Sequence, residues 1–400
     1  MTTEAELVGA IAAALDDDAP RLVYADWLAE RGDPRGELIQ LQVAVDGMLE
    51  EDERRKPTEK RLKALLEEHG ESWLGRLVEL RRHGMHFAFE RGVIGAIAAP
   101  IQVLVQHAAK ICEVAPLLTR VAIIANAGHD AAALARTPLA PRIRSLAITG
   151  AGTPRLTGLD RLELPELRRL ELEAIAVGPD DLALLASPHL AAVRLQNCRL
   201  LKGVVEAFAR VRGPLRRLEL PACHLGPRLG ELVGAGCRHL AELVLPGNEL
   251  GPTGVAALRP ALATVEHLDL RGNELAPEHL PLVLDEAVIP RVKALLLGGN
   301  PLGDAAVTAI VAYPGSRRLT RLHLGDAGVT SLGGRALAVA ESLSGLRALT
   351  LRGKPFDPQT CAMLVASPFL ANARIYVGDR FLARSTKPPP KRPARKPPPA

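Results

Sequence analysis

The chain has 400 residues, too many for one ordinary compact core, so several domains or a repeat array are expected. It is 48% hydrophobic but only 3% aromatic, and small aliphatics suit regularly stacked layers better than a core built around large rings. The net charge is +5, yet Lys387, Lys391, Arg392, Arg395 and Lys396 lie in an acid-free stretch, which leaves the rest near neutrality and argues against a folded body that attracts nucleic acid.

Five cysteines without a CxxC pair or a close cluster read as reduced thiols, and no basic segment followed by an apolar one opens the chain. Both features predict a cytoplasmic protein.

Residues 1–45 predict three short helices. Leu7 and Ile11 are spaced i, i+4 on the first. Asp18 is placed to cap the second, with Pro20 in its first turn and Leu22, Ala25 and Leu28 as its apolar stripe. Gly32 ends it, Asp33-Pro34 opens the third, and Trp27 is expected as a core anchor. The acids from Asp16 to Glu37 lack the Gly and Glu spacing of a calcium loop, so they are read as caps and ion pairs with Arg21, Arg31 and Arg35. The runs Asp17–Leu22, Tyr24–Leu28 and Glu30–Glu37 resemble the repeat-companion domain, a small bacterial module found N-terminal to repeat arrays. That resemblance implies a helical accessory module with no established activity, and it carries no catalytic role onto these positions.

Residues 46–85 read as a charged helical linker, with a helix from Pro57 to about His69 ended by Gly70. His83 and His86 have no acid or thiol beside them and are read as structural rather than as a metal pair. HFAFERGVIGAIAAP, residues 86–100, alternates and turns at Arg91-Gly92, which predicts a strand pair capping the open end of a solenoid. The apolar run Val93–Val105 is interrupted by Pro100 and Gln102 and is too short to span a bilayer.

From Leu118 onward one pattern recurs: Leu at position 1, apolar residues at 4 and 6, Asn or Cys at 9, and an apolar residue at 11. Segments starting at Leu240, Val265 and Val292 fit throughout, with Asn248, Asn273 and Asn300 at position 9. Further copies start at Leu118, Ile143, Leu167, Leu190, Leu215, Leu319, Leu346 and Leu370, giving eleven starts spaced by 23 to 27 residues. Cys198 and Cys223 occupy position 9 of adjacent copies, which accounts for both thiols without a metal shared with His224. The segments after the strands read as short helices, with Thr253 and Asp304 as expected N-caps. The pattern resembles the leucine-rich-repeat family, nearest its ribonuclease-inhibitor type although the period is short. The resemblance implies an α/β solenoid over residues 86–383, with parallel strands on a concave face and short helices on a convex one. The tail, residues 384–400, is Pro/Lys/Arg-rich and expected to be disordered, with a PxxP spacing at Pro390–Pro393.

In such an array each position becomes a column across the strands. Position 5 then runs Glu171, Arg194, Glu219, Val244, Asp269, Leu296, His323, Thr350 and Arg374, flanked by arginines such as Arg217 and Arg347 at positions 2 and 3. Alternating charges at Glu171, Arg194 and Glu219 are expected to pair across strands. An Arg-rich mixed surface of this kind suits a protein partner. No GxSxG, GxxxxGK[ST], HExxH or GxGxxG motif occurs, so neither an enzyme nor a cofactor or small-molecule substrate is expected. The leading expectation is a protein-interaction scaffold. The alternatives are a regulator of a partner enzyme and weak nucleic-acid association through the tail.

Overall fold

The structure is a computed structural model that describes residues 3–48, 54–125, 130–152, 154–155, 157–230, 233, 237, 239–353, 355–378 and 380–382. The expected tail, residues 384–400, lies outside the described residues. The chain divides into two compact units, Met1–Glu242 and Leu243–Ala400.

The N-terminal unit begins with helices α1 (Glu4–Ala13), α2 (Ala19–Ala29) and α3 (Arg35–Asp46). A reciprocal cap starts α1: Thr3 Oγ1 accepts from the Glu6 N–H, and Glu6 Oε2 accepts from the Thr3 N–H at 2.8 Å. Asp18 precedes α2 but makes no side-chain cap; Asp17 Oδ1 instead accepts from the Ala19 N–H at 2.9 Å. The buried face of α2 is Arg21, Tyr24, Ala25 and Leu28, and Leu22, expected on that face, is 38% exposed. Trp27 is half-buried and packs against the core cluster that holds the buried Tyr24, with the two rings stacked and the Arg31 guanidinium 3.7 Å from the indole.

Helix α4 (Arg55–Leu74) starts earlier and runs further than its sequence suggests. Gly70 is buried inside it, and Gly75 follows the last residue. Strands β1 (His86–Glu90) and β2 (Val93–Pro100) form an antiparallel hairpin whose two turn residues, Arg91 and Gly92, both have positive φ. Leu7, Ile11, Tyr24, Leu28 and Ile39 pack in one cluster with Leu117 and Val93, so the three helices share their core with the strand region.

Helix α5 (Ile101–Val114) leads to β3 (Arg120–Ala125), β4 (Ser145–Gly150), β5 (Arg169–Glu173), β6 (Ala176–Val177), β7 (Ala192–Gln196), β8 (Arg199–Leu200) and β9 (Arg217–Glu219). In this unit the sheet order is β1-β2-β3-β4-β5-β7-β9, parallel from β2 onward, with β6 and β8 in a small second pair. Strand β2 is itself in register with β3, Ile97 opposite Val121 and Ala99 opposite Ile123. It is therefore one more parallel strand, with Ile97 and Ala99 buried in the places that Val121 and Ile123 take on β3.

Strand β10 (Glu242–Val244) spans the division of the chain. The C-terminal unit continues with β11 (His267–Asp269), β12 (Ala294–Leu296), β13 (Arg321–His323), β14 (Ala348–Leu351), β15 (Arg374–Val377) and β16 (Arg380–Leu382). Strands β11 to β15 are parallel and in register, and β16 closes the edge antiparallel to β15. The leucines at positions 4 and 6, among them Leu268, Leu270, Leu295 and Leu297, are fully buried, each stabilising by about 1.5–3 kcal/mol relative to exposure.

Position 9 ties these coils together. Asn248, Asn273 and Asn300 are fully buried. Asn273 Oδ1 accepts from the Asn248 and Leu250 N–H groups while its Nδ2 donates to the Leu245 carbonyl at 2.8 Å. In the other unit Cys198 and Cys223 donate more weakly to the Leu172 and Leu195 carbonyls, at 3.3 and 3.1 Å. Position 8 is left-handed in repeat after repeat, at Gly247, Gly272 and Gly299 but also at Ala174, Asn197, Ala222 and Asp326.

The connecting segments are mixed. Gly251–Leu258, Gly303–Ala312, Ser331–Ala338 and Pro358–Ala366 are α-helical, whereas 3-10 turns such as Ala131–Arg136, Asp180–Ala186 and Pro277–Leu282 serve elsewhere. Neither Thr253 nor Asp304 is an N-cap: the cap positions are Leu250 and Leu302, without side-chain bonds. Asp304 instead serves the following helix, Oδ1 accepting from the Thr330 N–H at 2.8 Å and the Gly333 N–H at 3.1 Å. Among the described residues no helix is long and apolar enough to cross a membrane.

Candidate interaction surface

Alternation along each strand sends positions 4 and 6 into the core and leaves positions 3, 5 and 7 on the other face. In the N-terminal unit the register places Ala98, Ala122, Ala147, Glu171, Arg194 and Glu219 opposite one another at position 5. The charges there are largely answered from within. Arg169 Nε lies 2.8 Å from Glu171, so Glu171 pairs along its own strand rather than with Arg194 opposite. Arg194 lies 3.7 Å from Glu219 on the next strand. Arg217 bonds Glu219 and reaches Glu242 at 3.1 Å, and Glu219 is only 6% exposed. Asp16, from the turn after α1, pairs with Arg168 at 2.8 Å and Arg144 at 3.4 Å, so the N-terminal helices neutralise part of the arginine column. A polar recess of 300 Å³ lies along Thr149, Glu171, Glu173, Arg194 and Gln196.

In the C-terminal unit position 5 carries Val244, Asp269, Leu296, His323, Thr350 and Tyr376. The last place differs from the sequence-based column: Thr350 faces Tyr376, and Arg374 stands opposite Ala348 in the position 3 row with Arg321. Val244, His323, Thr350 and Tyr376 are half-buried. Asp269 and Leu296 are 1% and 8% exposed, so these two of the expected contact residues offer little surface. Arg271 clasps Asp269 in a fork, Nε to Oδ1 at 2.9 Å and Nη2 to Oδ2 at 2.6 Å, a charge-assisted pair fixed within one strand end. Lys293 pairs with Glu266 at 2.7 Å. Arg347 is exposed and has no ion pair among the described residues.

His323 accepts from the Gly325 N–H through Nδ1 at 3.3 Å. Its ring occupies the space over Gly298, where an added Cβ would come within 2.6 Å of Nδ1. Burial, then the nearby Arg271 guanidinium, holds its pKa below the ordinary value, so the ring is neutral at pH 7.

Burial pushes the Cys223 and Cys237 thiols up to about 12 and raises Cys198 as well, so these groups stay protonated thiols rather than thiolate nucleophiles or ligands. No cluster of three or more His, Cys, Asp or Glu is placed to hold a metal ion among the described residues. His83 stacks on His107, with ring centroids 5.9 Å apart.

Residues 236–258 match the family model described as Leucine Rich repeat, a segment containing Leu240, Leu243, Leu245, Asn248 and Leu250. A chain in the solved octameric complex of Latrophilin 3 (Lec, Olf), Unc5D (Ig, Ig2, TSP1) and FLRT2 (LRR) is similar at 16% identity, over 65% of this chain and 83% of that one, with a TM-score of 0.38. Comparison with curated proteins found no match.

Proposed function

We propose that this chain is a non-enzymatic leucine-rich-repeat scaffold that binds a protein partner through the strand face of its C-terminal unit. One observation carries the reading: in-register parallel strands β13 to β15 present His323, Thr350 and Tyr376 as one partly exposed row, with Val244 outward on β10, on a backbone whose coils are pinned by buried position 9 side chains. A row preorganised in this way loses little entropy on binding. The N-terminal unit's face suits the role less, because its charges are already spent on one another and on Asp16. In this reading α1–α3 are a repeat-companion module, and the array is a short relative of the ribonuclease-inhibitor type. Five cysteines, none of them in a disulfide and four of them buried, support a reducing, cytoplasmic setting.

The test is affinity capture from native lysate with the wild-type chain and the variant Val244→Glu/Thr350→Glu. Both substitutions sit on half-buried, outward positions, so the fold is retained and the partner should be lost. Identical partners recovered by both would end the reading.

A further inference from the structure

A cavity of 160 Å³ opens in the N-terminal unit where the first four helices meet the β1–β2 hairpin. Its walls are apolar and largely aromatic: Tyr24, Trp73 and Phe89, with Val93 and Leu117 joining it to the core. Each ring is held before any ligand arrives. Tyr24 is buried and donates its hydroxyl to Glu4 Oε1 at 2.5 Å. Trp73 contacts both His69 and Phe89, with ring centroids 5.4 and 5.8 Å away. Gln42 accepts from the Gly92 N–H at 2.7 Å and donates to the Phe89 carbonyl at 2.8 Å, which fixes the hairpin against α3. A preformed apolar wall of this kind needs little ordering on binding.

The lining also carries one charge of each sign. Glu4 and Arg35 both border the cavity, with Arg35 Nη2 3.5 Å from Glu4 Oε1. Asp33 Oδ2 orients the guanidinium by accepting from Nε at 2.9 Å and from Nη2 at 2.7 Å. Neither Glu4 Oε2 nor Arg35 Nη1 makes a hydrogen bond among the described residues. We propose that the cavity binds a free apolar α-amino acid of leucine size, its side chain against the three rings, its ammonium on Glu4 and its carboxylate on Arg35. The proposal is independent of the strand-face reading. In an amino acid the ammonium nitrogen and the carboxylate carbon stand about 2.5 Å apart across one Cα, which suits acceptor and donor groups placed side by side. Both contacts are charge-assisted, and the guanidinium fork fits a carboxylate. A simple organic cation would meet Arg35, and a simple anion would meet Glu4, each a like charge that disfavours it. A residue inside a peptide has lost both charges to amide bonds, so the pair selects the free amino acid. Volume sets the size. A cavity of about 150 Å³ admits a benzene-sized group, which has more heavy atoms than a leucine side chain, whereas drug-sized ligands need about 300 Å³ or more.

The test is calorimetric titration of the full chain with L-leucine, repeated by equilibrium dialysis. L-Leucine should bind with a Kd below about 1 mM. Isoamylamine and isocaproate keep the side chain and one charge each, and they should bind at least about tenfold more weakly. Glu4→Gln, which keeps an acceptor for the Tyr24 hydroxyl, should weaken L-leucine binding by at least about fivefold, as should Arg35→Gln. Lys63→Gln/Glu67→Gln, an exposed pair elsewhere on α4, should change it by less than about twofold. The two analogues are read on the wild-type chain, so the site is tested whether or not Arg35→Gln folds. Absence of L-leucine binding by both methods would overturn the proposal. So would analogues that bind as tightly as the amino acid, or L-leucine binding that is unchanged in Glu4→Gln and Arg35→Gln.

Discussion

Asn300 Oδ1 accepts the Asn273 backbone N–H at 2.8 Å while Asn300 Nδ2 donates to the Leu270 carbonyl at 2.9 Å, so one amide fastens two neighbouring coils in both directions. The same side chain also takes the Leu275 N–H and donates to the Leu297 carbonyl. All of these groups are shut away from water, and each becomes an unmet buried polar group if the amide is removed.

Asn300→Ala should therefore cost about 3 kcal/mol or more, since several buried partners lose their bonds at once. Urea denaturation measures it. A loss under about 1 kcal/mol would mean that water or backbone adjustment replaces the ladder.

Asp304→Ala should act one repeat away from the substituted residue. The Asp304 carboxylate holds the first N–H groups of Ser331–Ala338, so that helix, rather than Gly303–Ala312, should lose hydrogen-exchange protection. The expected stability loss is about 1 kcal/mol, the usual worth of a helix cap. Unchanged exchange across Ser331–Ala338 would contradict the assignment.

Position 8 offers a gain rather than a loss. Ala222 has φ +52°, a conformation that costs an L-residue with a Cβ. Ala222→Gly should raise stability by about 0.5–1 kcal/mol, and Gly272→Ala, at φ +60°, should lower it by about the same amount. Thermal melts of the two single variants check the pair; opposite signs from those given would refute the strain argument.

His323 predicts a pH dependence. Its folded pKa lies below the unfolded value of 6.5, because burial and Arg271 disfavour the charged ring. Between those two values the unfolded chain holds a proton that the folded chain does not, so stability is full above pH 6.5 and declines as pH falls through the window. His323→Gln should flatten the melting temperature between about pH 7.5 and about pH 5.5 relative to wild type. An equal slope in both would remove His323 as the cause.

The leucine period makes the fold legible because buried positions 4 and 6 tolerate little but aliphatic residues. Strand β2 is legible only as half of a hairpin: Ile97 and Ala99 fill the buried slots, but Gln102 stands where the pattern has Asn or Cys, so the repeat does not announce itself. The linear pattern sets the last coil two residues out of register. Ala373, Ile375 and Val377 all point inward, and a shift of two keeps every side chain on its face, so alternation alone does not separate Arg374 from Tyr376 at position 5. Nor does the column show which charges are free. Asp16 reaching Arg168 and Arg271 clasping Asp269 depend on contacts that the linear pattern does not contain.

The most direct measurement places a photo-reactive phenylalanine analogue at Thr350, on the strand face, and at Thr308, exposed on the helix Gly303–Ala312. Irradiation in native lysate should join a protein partner to the residue 350 variant and leave the residue 308 variant unlinked. Cross-linking at 308 with none at 350 would contradict the strand face as the binding surface.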